Sequence, residues 1–234
     1  MAGTSDDSGR MLVIAVDGPS AAGKGTLGRA LARHFGLAFL DTGLLYRGVA
    51  ARLLAGGQDP SDVPAAKAAA KALRFDELES PKLRDDAVAQ AASKVAAIPA
   101  VREALLGLQR GFARTPPPGP DGKVRGAVLD GRDIGTVVCP DATVKLFVTA
   151  SLEARAQRRH QELLARNGES IYARVLQDMK ERDQRDSTRK AAPLTPAPDA
   201  LVIDTTALSA EAALAVAVSY VSRRGRGETK TALA

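Results

Sequence analysis

Five short apolar runs punctuate the chain, at residues 11–16 (MLVIAV), 38–40 (AFL), 127–129 (AVL), 144–148 (VKLFV) and 201–203 (LVI), and segments of helical periodicity separate them. Apolar strands alternating with helices predict a parallel sheet covered on both faces. The helices are legible from their ends. Residues 27–35 are helix-like; Ser61-Asp-Val-Pro64 opens another helix with an N-cap and an early proline, and the alanine-rich residues 65–72 continue it. Ser151 caps a run over residues 152–165 that Asn167-Gly168 closes, and Ser209 opens a last helix reaching Tyr220. Thr115-Pro-Pro-Pro-Gly-Pro-Asp-Gly122 must be a loop, because four prolines and two glycines leave no regular structure intact. The polar residues 1–10 predict a disordered leader and residues 225–234 a flexible tail. The 234 residues fit a single domain over 11–224.

The junction between the first strand and its helix carries the clearest chemistry. Gly18-Pro-Ser-Ala-Ala-Gly-Lys-Gly-Thr26 is the G-x-x-x-x-G-K of a phosphate-binding loop, with Gly25 inserted before the hydroxyl residue. Gly18, Gly23 and Gly25 let the backbone wrap a polyphosphate, and Pro19, Ser20, Ala21 and Ala22 complete the wrap. The helix after the loop points its positive end at the same anion. Lys24 can then reach the β- and γ-phosphates of such a ligand, and Thr26 can offer a hydroxyl to a Mg²⁺ bridging them.

Two further clusters follow strands. Asp41-Thr-Gly-Leu-Leu-Tyr-Arg47 sets Asp41 and Thr42 at the end of the second strand, and Asp130-Gly-Arg-Asp-Ile-Gly135 does the same for Asp130, Arg132 and Asp133 after the third. Alone, each reads as a helix cap with solvated charge; three clusters after three strands read as a ligand edge, where open α/β sheets bind. Arg155, Arg158 and Arg159 share a helical face, as do Arg182, Arg185, Asp186 and Arg189.

Composition narrows the class. The net charge is +6 and the isoelectric point about 9.7, which admits nucleic acid as well as small phosphorylated ligands. Acids alternate with arginines through residues 181–189, an arrangement that suits a phosphorylated sugar better than a DNA backbone, and aromatics are only 3% of the chain, which disfavours base-stacking platforms. A single cysteine, Cys139, excludes an intramolecular disulfide and reads as a small apolar residue. With no export signal and no long apolar run, the expected setting is the cytoplasm, with no membrane partner. The residues alone leave open a small-acceptor kinase, such as one for adenylate or shikimate, and a nucleotide-switched module that binds nucleic acid.

The joint occurrence and order of Asp17-Gly-Pro-Ser-Ala-Ala-Gly-Lys-Gly-Thr26, Asp41 to Arg47, Ala91-Ala-Ser-Lys-Val-Ala-Ala97, Val101-Arg-Glu-Ala-Leu-Leu106, Asp130 to Thr136 and Glu181 to Arg189 resembles the bacterial cytidylate kinase family, from Met11 to about Tyr220. Gly-Lys-Gly-Thr is similar to the loop of nucleoside monophosphate kinases. The resemblance implies an α/β P-loop kinase fold, a five-stranded parallel sheet flanked by helices, with a monophosphate-binding segment near residues 58–113 and a small helical lid near 154–190. It implies γ-phosphoryl transfer from ATP to CMP or dCMP by a monomer that uses Mg²⁺ and needs no nucleic acid. Catalysis would fall to Lys24, Arg132, Arg158 and Arg189. Arg47, Arg132 and Arg189 would hold the acceptor phosphate, beside Thr42 and Tyr46; Ser93, Arg102 and Asp133 would read cytosine; Arg182 and Asp186 would bind the ribose. Arg155, Arg158 and Arg159 would cover the ATP phosphates, and Thr26, with Asp130 through a water, would hold the metal. The match departs at Arg74 to Asp86, where the family carries a longer insertion with a small β-sheet, so a short monophosphate segment is expected.

Overall fold

A computed structural model describes residues 11–119, 121–189 and 191–224, with the side chain of residue 167 left aside. The expected leader and tail, residues 1–10 and 225–234, lie outside the described residues. Five parallel strands, β1 (Leu12–Asp17), β2 (Ala38–Asp41), β3 (Gly126–Gly131), β4 (Val144–Thr149) and β5 (Leu201–Asp204), form one sheet in the order β2-β3-β1-β4-β5. These are the five apolar runs, shifted by one residue in β1 and extended by one to three residues in the others. The extension matters, because it places Asp17, Asp41, Asp130 and Gly131 inside strand ends rather than after them. β1 is central: Leu12 to Asp17 pairs with Gly126 to Gly131 of β3, and Ile14 to Asp17 pairs with Val144 to Phe147 of β4.

Helices α1 (Lys24–Phe35) and α8 (Ala210–Arg224) cover one face, where Ile14, Val16, Leu31, Leu146, Ala217 and Val221 pack in a common core. Helix α5 (Pro99–Arg114) and a π-helical turn at Ile134–Val138 cover the other, with Leu129, Ile134, Ala113 and the buried Cys139. A second apolar cluster joins α2 (Gly43–Ala55), α3 (Val63–Lys71), α4 (Asp86–Val95) and α5 through Leu45, Val49, Leu53, Val95, Val101 and Leu105. Between α3 and α4 lie only two 3-10 turns, Phe75–Glu79 and Pro81–Arg84, so the short segment holds helices and their connections and, among the described residues, no strand. Helices α6 (Leu152–Asn167) and α7 (Tyr172–Thr188) pair over the carboxyl edge of the sheet, around a small core of Ala156, Val175 and Met179.

The cap residues follow their chemistry, with one shift. Ser151 accepts from the Ala154 amide at 3.2 Å and Ser209 from that of Ala212 at 3.1 Å. In α3 the cap is Asp62, which accepts from the Ala65 amide at 3.0 Å, rather than Ser61. A carboxylate one residue nearer the proline at N2 outcompetes the serine. Gly18, leaving β1, has φ +144° and a Cβ there would lie 1.9 Å from the Val148 carbonyl oxygen. Only glycine lets the loop pass that close to β4.

Candidate functional site

The site is built where the strand order changes direction, at the carboxyl ends of β1 and β3, which is where a crevice opens in such sheets. The loop between β1 and α1 winds tightly there. Ala21 takes a left-handed φ of 57° and Gly23 one of 91°, turning backbone N–H groups of the loop toward one side. Lys24 is buried and donates to the Pro19 carbonyl at 2.7 Å, with Asp130 4.0 Å from its ammonium. A Cβ at Gly25 would sit 3.3 Å from the Asp130 carboxylate and 3.3 Å from the Arg29 guanidinium. The inserted glycine therefore gives the β3 carboxylate room against the loop.

A cavity of about 390 Å³ opens in front of this loop. Ser20, Ala21, Gly23, Lys24, Gly25 and Thr26 form one wall; Thr42, Tyr46 and Arg47 of the β2–α2 junction form another; and Arg102, Asp130, Arg132, Asp133, Arg159, Arg182, Asp186 and Arg189 close it. The Thr42 hydroxyl donates to the Asp130 carbonyl at 2.7 Å, tying two strand ends together. Buried acids hold the arginines in place. Arg102 forms a buried ion pair with Asp133, whose other oxygen lies 3.7 Å from Arg189. Asp186 accepts from the Arg132 Nε at 3.0 Å. Arg182 Nε and Arg189 Nη2 are buried with no hydrogen-bond partner among the described residues, and such donors call for an anionic or polar ligand.

Ser93 opens instead onto an adjoining cavity of about 190 Å³, shared with Ser20, Arg47, Arg159 and Arg182, and its hydroxyl accepts from Arg185 at 3.3 Å. Gly18 and Ala22 shape the loop without lining these cavities; the Ala22 carbonyl accepts from the Thr205 hydroxyl at 3.0 Å. Two of the lid arginines depart from expectation. Arg155 does not face the main cavity: its guanidinium is spent on Asp183, at 2.7 and 3.2 Å, on the Ala150 carbonyl and on that of Ser20. Arg158 turns to the opposite side of the loop, where its guanidinium donates to the Thr205 hydroxyl at 3.0 Å. There a largely apolar cavity of about 450 Å³ is lined by Gly23, Thr26, Leu27, Arg158, Leu208 and Leu214. Side chains on one helical face share a direction at Cα, but arginines are long enough to diverge to three partners.

A model of the family described as cytidylate kinase matches residues 14–223. The chain belongs to the cytidylate kinase family. It is 57% identical over 212 residues to the cytidylate kinase of Paramagnetospirillum magneticum, covering 91% of this chain and 98% of that one. It is 56% identical to that of Methylocella silvestris, covering 90% and 94%, and 53% identical to that of Rhodospirillum rubrum, covering 92% and 99%.

In this member of the cytidylate kinase family, further side chains line the main cavity that the motifs did not single out: Arg29, Arg84, Glu162 and Arg166. Arg29 stands on α1, one turn past Gly25, and helical spacing alone could have flagged it. Thr205, just past the end of β5, bonds the loop and the β4 end, and the same strand-end rule that found Asp41 and Asp130 would have found it.

Burial sets the protonation chemistry of the cytidylate kinase site. It pushes the Lys24 ammonium below the ordinary lysine value, reinforced by the Arg132 charge and opposed by Asp130. Burial likewise raises Asp130, against the Lys24 charge. Asp17 is pushed up to about 6 by burial although it accepts from the Ile134 and Gly135 amides at 2.8 and 2.7 Å. Arg182 is lowered to about 10 by burial, and then by Arg132, with Asp186 opposing. Lys24 holds phosphate only when protonated, so kcat/KM for ATP, which reports the free enzyme, should fall on the alkaline side well before the ordinary lysine value of 10.5. A profile that stays flat up to that value would show that Lys24 is not the titrating group.

The residues present fit Mg²⁺. The Thr26 hydroxyl and the Asp130 carboxylate are hard oxygen donors beside the loop, and the missing Cβ of Gly25 leaves space around that carboxylate.

Proposed function

We infer that the chain transfers the γ-phosphoryl group of ATP to CMP or dCMP, giving CDP or dCDP and ADP. One observation carries this reading: the phosphate-loop Lys24 and the buried Arg102–Asp133 pair line the same cavity. Donor phosphates and a polar base are thus served from opposite walls of one space.

The roles follow from chemistry. The loop backbone and Lys24 hold the donor phosphates, and the apolar cavity beside Gly23 and Thr26 suits the donor's base, with Arg158 at its rim. Thr26, and Asp130 through a water, would hold Mg²⁺, which when bound neutralises charge between the phosphates. Arg47, Arg132 and Arg189 meet the acceptor phosphate; Arg182 and Asp186 face the ribose. A carboxylate accepts from the exocyclic amino group of cytosine, whereas uracil offers a carbonyl there and leaves the acid unpaired. Phosphoryl transfer needs positioning and charge neutralisation more than a base, so no general base is assigned. Helices α6 and α7 meet α4 through Arg159–Asp86 at 3.0 Å and Gln90–Asp178 at 3.4 Å, a closure that would exclude water from the transfer. The reading includes a monomer in the cytoplasm with small-molecule substrates and no nucleic-acid partner. It is supported by the inward-facing, acid-paired arrangement of the arginines; no helix of the described residues is long and apolar enough to cross a membrane.

Assaying the protein with Mg²⁺-ATP and a panel of CMP, dCMP, UMP, AMP, GMP and shikimate tests it. Turnover should be fastest with CMP or dCMP. Equal turnover across the monophosphates, or a preference for shikimate, would refute the assignment.

A further inference from the structure

Asp133 stands at the head of the π-helical turn Ile134–Val138, and a single turn of that length gains little from its own hydrogen bonds. Its first amides need acceptors, because Ile134 and Gly135 are buried. The residue at the cap position ordinarily supplies one from its own side chain. Asp133 caps nothing in the turn among the described residues; its carboxylate goes to Arg102 and faces Arg189. The acceptor comes from another element. Asp17, the last residue of β1, receives the Ile134 amide on Oδ1 at 2.8 Å and the Gly135 amide on Oδ2 at 2.7 Å, so both carboxylate oxygens are committed. A Cβ at Gly135 would stand 3.4 Å from that second oxygen and 3.1 Å from the Lys145 side chain, and glycine is what lets the carboxylate close in.

The far end of the turn is held in the same way by the opposite charge. Arg110 of α5 donates from Nε to the Val138 carbonyl at 3.0 Å and from Nη2 to the Val137 carbonyl at 2.9 Å. A carboxylate thus meets the leading N–H groups and a guanidinium the trailing carbonyls, the signs that a helical turn favours at its two ends. Neither Asp17 nor Arg110 is among the residues that line the main cavity. Their effect reaches it through Asp133, whose carboxylate is left for the cavity because β1 caps the turn in its place.

We propose that Asp17 and Arg110 are positioning residues of the acceptor site, clamping the turn after β3 at both ends so that Asp133 keeps its carboxylate for the base. This rests on the reading of Asp133 as the residue that recognises cytosine. A loosened turn would let Asp133 swing back to its own amides, in the ordinary cap bond, and withdraw from Arg102.

Steady-state kinetics with Mg²⁺-ATP, CMP and UMP on Arg110→Met, Asp17→Asn, Asp133→Asn and the Asp17→Asn/Asp133→Asn double variant test it. Arg110→Met keeps the aliphatic stem and loses both donors, whereas Asp17→Asn keeps the shape and turns one acceptor into a donor facing an N–H. Each should raise KM for CMP about fivefold, as loss of a hydrogen bond does, and lower the CMP-over-UMP preference by a similar factor. In Arg110→Met, kcat and KM for ATP should stay within about twofold of wild type. In the double variant the preference should fall no further than in Asp133→Asn alone, because Asp17 acts only through Asp133. Arg110 lies outside the phosphate loop, so its variant tests the clamp even where Asp17→Asn fails to fold. An unchanged KM for CMP in Arg110→Met, an equal rise in KM for ATP, or a further drop of the preference in the double variant would overturn the proposal. If Asp133→Asn keeps the full CMP advantage, the base-site reading falls and the clamp with it; if Asp133→Asn abolishes that advantage while Arg110→Met and Asp17→Asn retain it, the clamp alone falls.

Discussion

Replacing Lys24 by alanine should lower kcat by about a thousandfold or more and leave CMP binding, measured by titration calorimetry without ATP, within a few-fold of wild type. The geometry explains the split. Lys24 belongs to the loop wall, anchored on Pro19 and facing Asp130, whereas the Arg102–Asp133 pair, proposed above to read the base, stands across the cavity on α5 and the turn after β3. Losing the ammonium removes a charge from the donor phosphates and leaves the buried Asp130 without its closest cation. Thermal unfolding of the variant separates the two consequences: a folded, CMP-binding and inactive protein is the expected result. Lys24→Arg should not rescue it, because a planar fork does not fit where a compact ammonium sits 6% exposed beneath the loop. Undiminished turnover in Lys24→Ala would remove Lys24 from the catalytic group.

Asp133→Asn should have the second largest effect, and a different one. Asp133 is 5% exposed and faces two arginines, Arg102 directly and Arg189 at 3.7 Å. A neutral amide leaves both partly buried cations without their counter-charge, a loss of about 3 kcal/mol in stability, visible as a lower melting temperature. It also puts a donor where cytosine needs an acceptor. We expect kcat/KM for CMP to fall roughly a hundredfold while that for UMP changes far less, bringing the two substrates close together. If CMP keeps its full advantage over UMP, another residue reads the base.

Much of the molecule is legible in the sequence, and the limits of that legibility are physical. The strands show because a sheet covered on both faces demands continuous apolar runs, and all five runs became strands. The ligand edge shows because Asp41 and Asp130 follow those runs directly. Side-chain direction at long distance does not show. Arg155, Arg158 and Arg159 sit on one helical face by spacing, yet one reaches Asp183 beneath the loop, one the β5 end, and one Asp86 of α4; helical periodicity fixes where a side chain starts, not where four rotatable bonds deliver its guanidinium. The cap of α3 shifted from Ser61 to Asp62 for a similarly local reason, the competition of two good acceptors one residue apart.

The pairing of α6 and α7 has a bearing on speed. Its apolar core amounts to Ala156, Val175 and Met179, and its grip on α4 and the turn before it consists of partly exposed polar contacts such as Arg159–Asp86 and the Arg166 donation to the Arg84 carbonyl at 3.1 Å. Exposed ion pairs are each worth well under about 1 kcal/mol and weaken with salt. The contacts that join α6 and α7 to the helices across the cavity are thus ones that dissolved ions compete for, and we expect the escape of a finished nucleotide to quicken as the surrounding electrolyte is concentrated.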